Sequence, residues 1–180
     1  MSDSSRVRVY MACSLDGFIA GPDDDLSWLE PPADAPPPTG GIEFEPFMAQ
    51  IGVMIMGRRT HDVVAGFGQW AYGETPVLVA TRRPLTPAAP TVRAVSGDIA
   101  AIIEQARAVA GEKDIYLDGG DLIRQALNAG LIDELIITII PILLGDGIRL
   151  FDGIAQRTSL EFVAHHAYGH MAQIVARPVR

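Results

Sequence analysis

Asp118-Gly119-Gly120-Asp121-Leu122-Ile123 is the stretch whose residue types and spacing best suit chemistry. It follows a strand-like Asp114-Ile115-Tyr116-Leu117 and opens a helix-like run that stops at Gly130. Paired glycines at a strand-to-helix turn let backbone N–H groups approach a ligand with no Cβ in the way. The helix start beyond them adds unpaired donors and the positive end of a dipole, which together suit a phosphate. One such pair is most often only a tight turn. A second turn of the same type, Gly57-Arg58-Arg59-Thr60, follows the apolar run Val53 to Met56. Two of them in one small chain point to a nucleotide with phosphates.

Other reactive residue types are scattered. Cys13 stands alone and reads as a packed core thiol. His165 and His166 would point to opposite faces of a strand, and His170 brings no carboxylate or thiol with it, so no metal centre is expected. Asp23-Asp24-Asp25 reads as a solvated turn. Trp28 and Trp70 either stack on a flat ligand or simply pack.

The elements that must position these residues alternate along the chain. Strands are expected at Val7–Ala12, Val53–Met56, Pro76–Ala80, Thr91–Val95, Asp114–Leu117 and Leu135–Ile140, several of them short, apolar runs typical of buried parallel strands. Helices are expected at Phe44–Ile51, from Thr60 to Val64, at Ile99–Val109 behind the cap Ser96-Gly97-Asp98, and at Leu122–Ala129 before Gly130. The tail from Ser159 to Arg177 reads as a hairpin turning near Tyr168-Gly169-His170. This order predicts an α/β fold: a three-layer sandwich with a mostly parallel central sheet and a C-terminal antiparallel hairpin. Residues 30–41 hold five prolines, Pro31-Pro32 and Pro36-Pro37-Pro38, and are expected to form an irregular loop, either a surface insertion or the border of a pocket.

Composition narrows the class. The length of 180 residues suits one domain, 1–180, and the 48% apolar content contains no run long enough for a membrane helix. The start, Met-Ser-Asp-Ser-Ser-Arg, has no apolar signal core, and a single cysteine fits a reducing compartment, so a cytoplasmic location is expected. A net charge of −8 argues against nucleic acid as a partner.

In order along the chain, four blocks carry a resemblance. They are Tyr10-Met11-Ala12-Cys13-Ser14-Leu15-Asp16-Gly17-Phe18-Ile19-Ala20; Met56-Gly57-Arg58-Arg59-Thr60; Val77-Leu78-Val79-Ala80-Thr81-Arg82-Arg83-Pro84; and the long run from Ile115 through Asp118-Gly119-Gly120, Gly130-Leu131-Ile132-Asp133-Glu134-Leu135 and Ile140-Pro141-Ile142-Leu143-Leu144-Gly145-Asp146-Gly147 to Phe151. The chain thereby resembles the dihydrofolate-reductase-like superfamily, and most of all the C-terminal reductase domain of bifunctional riboflavin-biosynthesis proteins, here in stand-alone form.

The resemblance implies NADPH across the carboxyl ends of the strands. Ala12 and Ile19 would flank the nicotinamide. Gly57, Arg58, Arg59 and Thr60 would hold phosphate, and Thr81, Arg82 and Arg83 would receive the adenosine 2′-phosphate, a task suited to the guanidinium fork. Gly119, Gly120, Asp121 and Leu122 would form the pyrophosphate-side turn. The plain alternative for the four arginines is solvated surface. Asp16 matches a shared aspartate on the nicotinamide side, and it is either the proton donor or a β-turn aspartate before glycine. In dihydrofolate reductases a carboxylate on the first helix serves the pterin; an ungapped count back from Gly57 reaches Gly41, so Glu43 or Glu45 would take that place. Trp28 is a further expected substrate contact. Asp118 stands where a glutamate is more usual, and His61-Asp62-Val63-Val64 lacks the relatives' substrate pattern.

The function so implied is NADPH-dependent reduction of a small heterocyclic or sugar-derived substrate, resembling 5-amino-6-(5-phosphoribosylamino)uracil reductase of riboflavin biosynthesis. The alternatives are a dihydrofolate or pterin reductase, and a nucleotide-binding protein without turnover. A homodimer is expected, through apolar Ile136 to Leu144.

Overall fold

A computed structural model describes residues 5–180, so the part of the N-terminal reading that concerns residues 1–4 lies outside the described residues. Eight strands form one sheet: β1 (Val7–Ser14), β3 (Ile51–Gly57), β4 (Val77–Ala80), β5 (Val92–Val95), β6 (Asp114–Asp118), β7 (Glu134–Ile140), β9 (Leu160–Tyr168) and β10 (Met171–Pro178). Their spatial order is β5-β4-β3-β6-β1-β7-β10-β9. The first six in that order are parallel; β10 and β9 close the edge as the antiparallel hairpin. Four helices cover the two faces: α1 (Phe44–Met48), α2 (Arg58–Ala65), α3 (Ile99–Ala110) and α4 (Gly120–Asn128). The expected α/β class is the observed one.

Period two along each strand decides which face a residue serves. On one face Val9, Val53, Ile55, Ile115 and Leu117 pack against Ile102, Ile103 and Ala106 of α3 and Ile123 of α4. On the other, Met54, Met56, Tyr116 and Ile136 pack with Phe47 of α1, Trp70 and Tyr72. Phe47 is fully buried, with its ring 4.9 Å from Tyr10 and 5.1 Å from Tyr116. Those two tyrosines are therefore packed against α1, and their hydroxyls are held by backbone carbonyls, Tyr116 by that of Tyr10 and Tyr10 by that of Ile42.

The structure corrects several boundaries. The helix expected at Phe44–Ile51 ends at Met48, because Ile51 and Gly52 already belong to β3. At Gly52 the strand lies against the end of α3 so closely that a Cβ would stand 2.3 Å from the Ala110 carbonyl oxygen. Helices α2 and α4 begin directly after Gly57 and at Gly120, earlier than polar-to-apolar periodicity indicated. A small two-stranded sheet of β2 (Phe18–Ala20) and β8 (Ile148–Arg149) was not expected at all. Its strands are too short to show alternation. Residues 30–41 contain neither helix nor strand.

The expected cap of α3 is present: the Asp98 side chain accepts from Ala101 N at 2.8 Å. Asp98→Ala should cost about 1 kcal/mol, visible as a fall in Tm of about 2–4 °C for a chain of this size. An unchanged melting curve would show that the cap contributes nothing measurable.

Expected interface residues are mostly used within the chain. Ile136, Ile137 and Ile140 are buried between β1 and β10, because β7 is an interior strand; of the run to Leu144, it is Leu143 that stands out, 69% exposed.

Candidate active site

The carboxyl ends of β1, β3, β4 and β6 border one cleft of about 560 Å³, lined among others by Ala12, Gly57, Ala80 and Asp118. Parallel strands place their following turns at the same end, which is where open α/β sheets collect ligand sites. The cleft gathers most of the expected cofactor residues: Ala12, Ile19, Gly57, Arg58, Arg59, Thr60, Gly119, Gly120, Asp121 and Leu122 all line it. Residues 57–60 and 119–122, far apart in sequence, both line it.

The two helix starts are built differently from that of α3. Gly57 before α2 and Gly119 before α4 provide no side-chain cap, whereas Asp98 caps α3. The first-turn N–H groups of both helices are thus free of a side-chain acceptor where they meet the cleft. Such groups, with the helix dipole, favour an anion. Gly119 has φ +96°, and a Cβ there would stand 3.0 Å from Thr60 Oγ1. A Cβ at Gly120 would stand 2.7 Å from Ile19 Cδ1. The paired glycines are therefore required by the packing of the two turns against each other and against Ile19, as well as by any ligand.

The arginines divide into tied and free. Arg58 Nε donates to Asp62 at 2.8 Å and its Nη1 to the Pro84 carbonyl at 2.7 Å, which anchors the third turn beside α2. Arg59 pairs with Asp24 at 2.7 Å across the mouth of the cleft. Thr81, Arg82 and Arg83 lie just past Ala80, outside the lining; Arg83 N donates to Thr81 Oγ1 at 3.1 Å, and the Arg82 and Arg83 side chains extend into solvent. The structure thus places that expected group at the rim, because β4 ends one residue before it.

Three expectations about the reaction centre need correction. Asp16 does not line the cleft. Its carboxylate accepts from Ser14 Oγ at 2.6 Å, Leu144 N at 3.1 Å and Gly145 N at 2.8 Å, clasping the loop after β1 to the loop after β7. The Ser14 hydroxyl, with the backbone of Gly145 and Leu144, lowers its pKa to about 2. A carboxylate held ionised in this way has no proton to give at neutral pH. Glu43 and Glu45 are exposed and outside the lining, since α1 has only five residues and spends its inward position on Phe47. Trp28 donates from Nε1 to the Asp25 carbonyl and faces a second cavity under residues 30–38.

Sequence reading gave no site role to Asp118, Tyr10, Tyr72 or Tyr116, which line the cleft. Asp118 ends β6 and accepts from Gly119 N at 2.7 Å, with no cation paired to it among the described residues. Burial raises its pKa to about 6, against the lowering effect of the Gly119 N–H. Burial first, and then the nearby Asp118 charge, push the Tyr72 and Tyr116 hydroxyls up as well. Tyr116 donates to the Tyr10 carbonyl at 2.9 Å, and Tyr10 to the Ile42 carbonyl at 2.8 Å. One signal was available: Tyr116 and Asp118, two apart on a strand, must share a face.

Three solved structures resemble this arrangement. A Shewanella sp. PV-4 protein named for riboflavin biosynthesis is 31% identical, with a TM-score of 0.82 over 97% of this chain and 99% of that one. A Thermotoga maritima diaminohydroxyphosphoribosylaminopyrimidine deaminase/5-amino-6-(5-phosphoribosylamino)uracil reductase superposes with a TM-score of 0.70 at 14% identity, over 98% of this chain and 57% of that one. Dihydrofolate reductase from Enterococcus faecalis, complexed with NADP(H), superposes with a TM-score of 0.66 at 16% identity, over 98% of both chains. The last two likenesses are of fold. With residues 5–174 matched by the model of the RibD C-terminal domain, the chain belongs to that family.

Proposed function

We propose that this chain is an NADPH-dependent reductase acting on a C=N or C=O bond of a small heterocyclic or sugar-derived substrate. The observation that carries the reading is the convergence of two uncapped helix starts on a cleft that ends at a lone, partly buried carboxylate. The residues fit the cofactor. Gly119 and Gly120 leave a cradle that a Cβ would fill, and Arg82 and Arg83 stand free at the rim for a 2′-phosphate. The NADP(H) complex of the superposable dihydrofolate reductase supports the same choice.

When bound, NADPH would supply the hydride, and the protein has only to orient the reactants, exclude water and handle a proton. Ala12 and Ile19 give the nicotinamide end an apolar wall. Asp118 is the group that donates the proton, to the nitrogen or oxygen left electron-rich by the transfer. A pKa of about 6 keeps part of it protonated near neutrality, where an ordinary aspartate is fully ionised. The reading of a pterin reductase needed Glu43 or Glu45 beneath the nicotinamide. The reading without turnover needed an occluded substrate pocket, whereas the cleft continues past both turns to Tyr10, Tyr72 and Asp118.

Titration with NADPH and NADH, followed by nicotinamide fluorescence, tests the cofactor half. NADPH should bind more tightly, and Arg82→Ala with Arg83→Ala should reduce that preference by about 10–100-fold, since each lost charge-assisted contact is worth about 1.5–3 kcal/mol. Equal binding of the two nucleotides to the unaltered protein would remove the case for NADPH.

A further inference from the structure

A second cavity of about 590 Å³, as large as the first, lies under the proline-rich segment. Its floor is Ile140, Ile142 and Met171 and its roof the prolines of residues 31–38. Leu29, 38% exposed, lines both cavities, so they adjoin at that side chain. They also share one sheet face: Ala12 of the first pairs with Thr138, and Ser14 pairs with Ile140 of the second.

We propose that this chamber is the outer half of the substrate site and takes an apolar, unphosphorylated substituent of the ring that is reduced. The inference rests on the reductase reading above and adds the substrate class. Two independent features of charge support it. No lysine or arginine lines the chamber; its ionisable groups are Glu30 and His170, and a phosphate there would meet a carboxylate. In the first cleft the three lining arginines are tied: Arg58 to Asp62 and Pro84, Arg59 to Asp24, and Arg124 to the Arg149 carbonyl. All three belong to the helices that follow the glycine turns, and the one lysine, Lys113, binds the Ala49 carbonyl at the opposite end of β6. Among the described residues, a phosphorylated substrate would find no unpaired cation lining the Asp118 end.

The chamber is shaped in advance. Proline fixes φ along its roof, and the roof rests on the β9–β10 turn, where a Cβ at Gly169 would stand 3.1 Å from Pro38 Cα and 3.3 Å from the Pro36 carbonyl oxygen. A preformed apolar cavity with few polar groups is the usual form of a small-molecule site. His170 Nδ1 is buried there without a partner, one polar contact for an otherwise apolar group.

Methyl NMR on protein carrying ¹³C-methyl methionine reads the two halves separately, because Met11 lines the first cleft and Met171 the second. The probes are NADPH, then, on the NADPH-saturated protein, 2-aminopyrimidine bearing a 5-benzyl, a 5-methyl or a 5-phosphonomethyl group. NADPH should shift Met11 and leave Met171 in place. The benzyl compound should shift Met171 and bind about tenfold more tightly than the methyl compound, the gain expected from burying one ring; the phosphonomethyl compound should bind no better than the methyl one. Ile142→Arg should abolish the benzyl advantage and favour the phosphonomethyl compound, with the Met11 response to NADPH retained as proof of folding. The proposal is overturned if Met171 ignores the benzyl compound, if the phosphonomethyl compound binds as tightly, or if Met171 moves with protein concentration alone, which would mean a second copy fills the chamber. Failure of the cofactor reading is a different result: Met11 silent to NADPH.

Discussion

Asp118→Asn should lower kcat by about 10²-fold or more while raising thermal stability at neutral pH. The first effect follows from removing the proton donor, a contribution usually worth about 10²–10⁴-fold. Asparagine keeps the acceptor for Gly119 N–H, so NADPH affinity should be unaltered. In the unaltered protein the active form is the protonated one, so kcat should fall as pH rises through about 6, and in the variant that limb should disappear.

The stability effect has a definite sign. The folded-state pKa, about 6, lies above the ordinary 3.8, so between those values the folded chain holds a proton that the unfolded chain has lost. Stability then falls with rising pH across that window, by at most about 3 kcal/mol for a two-unit shift. Removal of the charge should therefore raise Tm at pH 8 and change it little at pH 4. A variant with unchanged kcat at every pH would exclude Asp118 as the donor. One with unchanged Tm at pH 8 would show that the ionised group is better solvated than its surroundings indicate.

The second large effect is expected at Gly119→Ala. Its φ of +96° is a conformation that a side chain adopts only with strain, and the added methyl would stand 3.0 Å from Thr60 Oγ1. Relief requires Thr60 Oγ1 or the start of α4 to give way, which disturbs the cradle between the two turns. Strain of about 1–3 kcal/mol is usual for such a residue, so Tm should drop by several degrees. Cofactor affinity should fall more than proportionally to any loss of folded protein, by about 10²-fold, because both phosphate-facing turns shift; that factor corresponds to about 2.7 kcal/mol. Fluorescence titration and a melting curve on the same sample separate the two. Full NADPH affinity in a folded Gly119→Ala protein would mean that this turn does not carry the phosphates.

How far the molecule could be read beforehand depended on the range of the interactions involved. The strand cores, the cap at Asp98, the terminal hairpin and both glycine turns are local: propensity, period and turn chemistry within a few residues specify them. Boundaries at Ile51 and Arg58 moved because a neighbouring strand or helix, absent from any local window, sets where pairing begins. Strands β2 and β8, with three and two residues, pair beside the clasp that Asp16 makes between loops 128 positions apart.

The alternation of strand and helix patterns was enough to specify a parallel sheet, and with it the placing of Gly57 and Gly119 at the same end, since every parallel strand delivers its following turn to one edge. The chemistry at that end came from long-range packing. It took Asp16 out of the cleft by giving its oxygens three hydrogen bonds, left Glu43 and Glu45 outside by ending α1 after five residues, and brought Asp118 into a desolvated pocket beside Tyr72. A carboxylate's role depends on what surrounds it in three dimensions, and those partners come from strands and loops that no local pattern brings together.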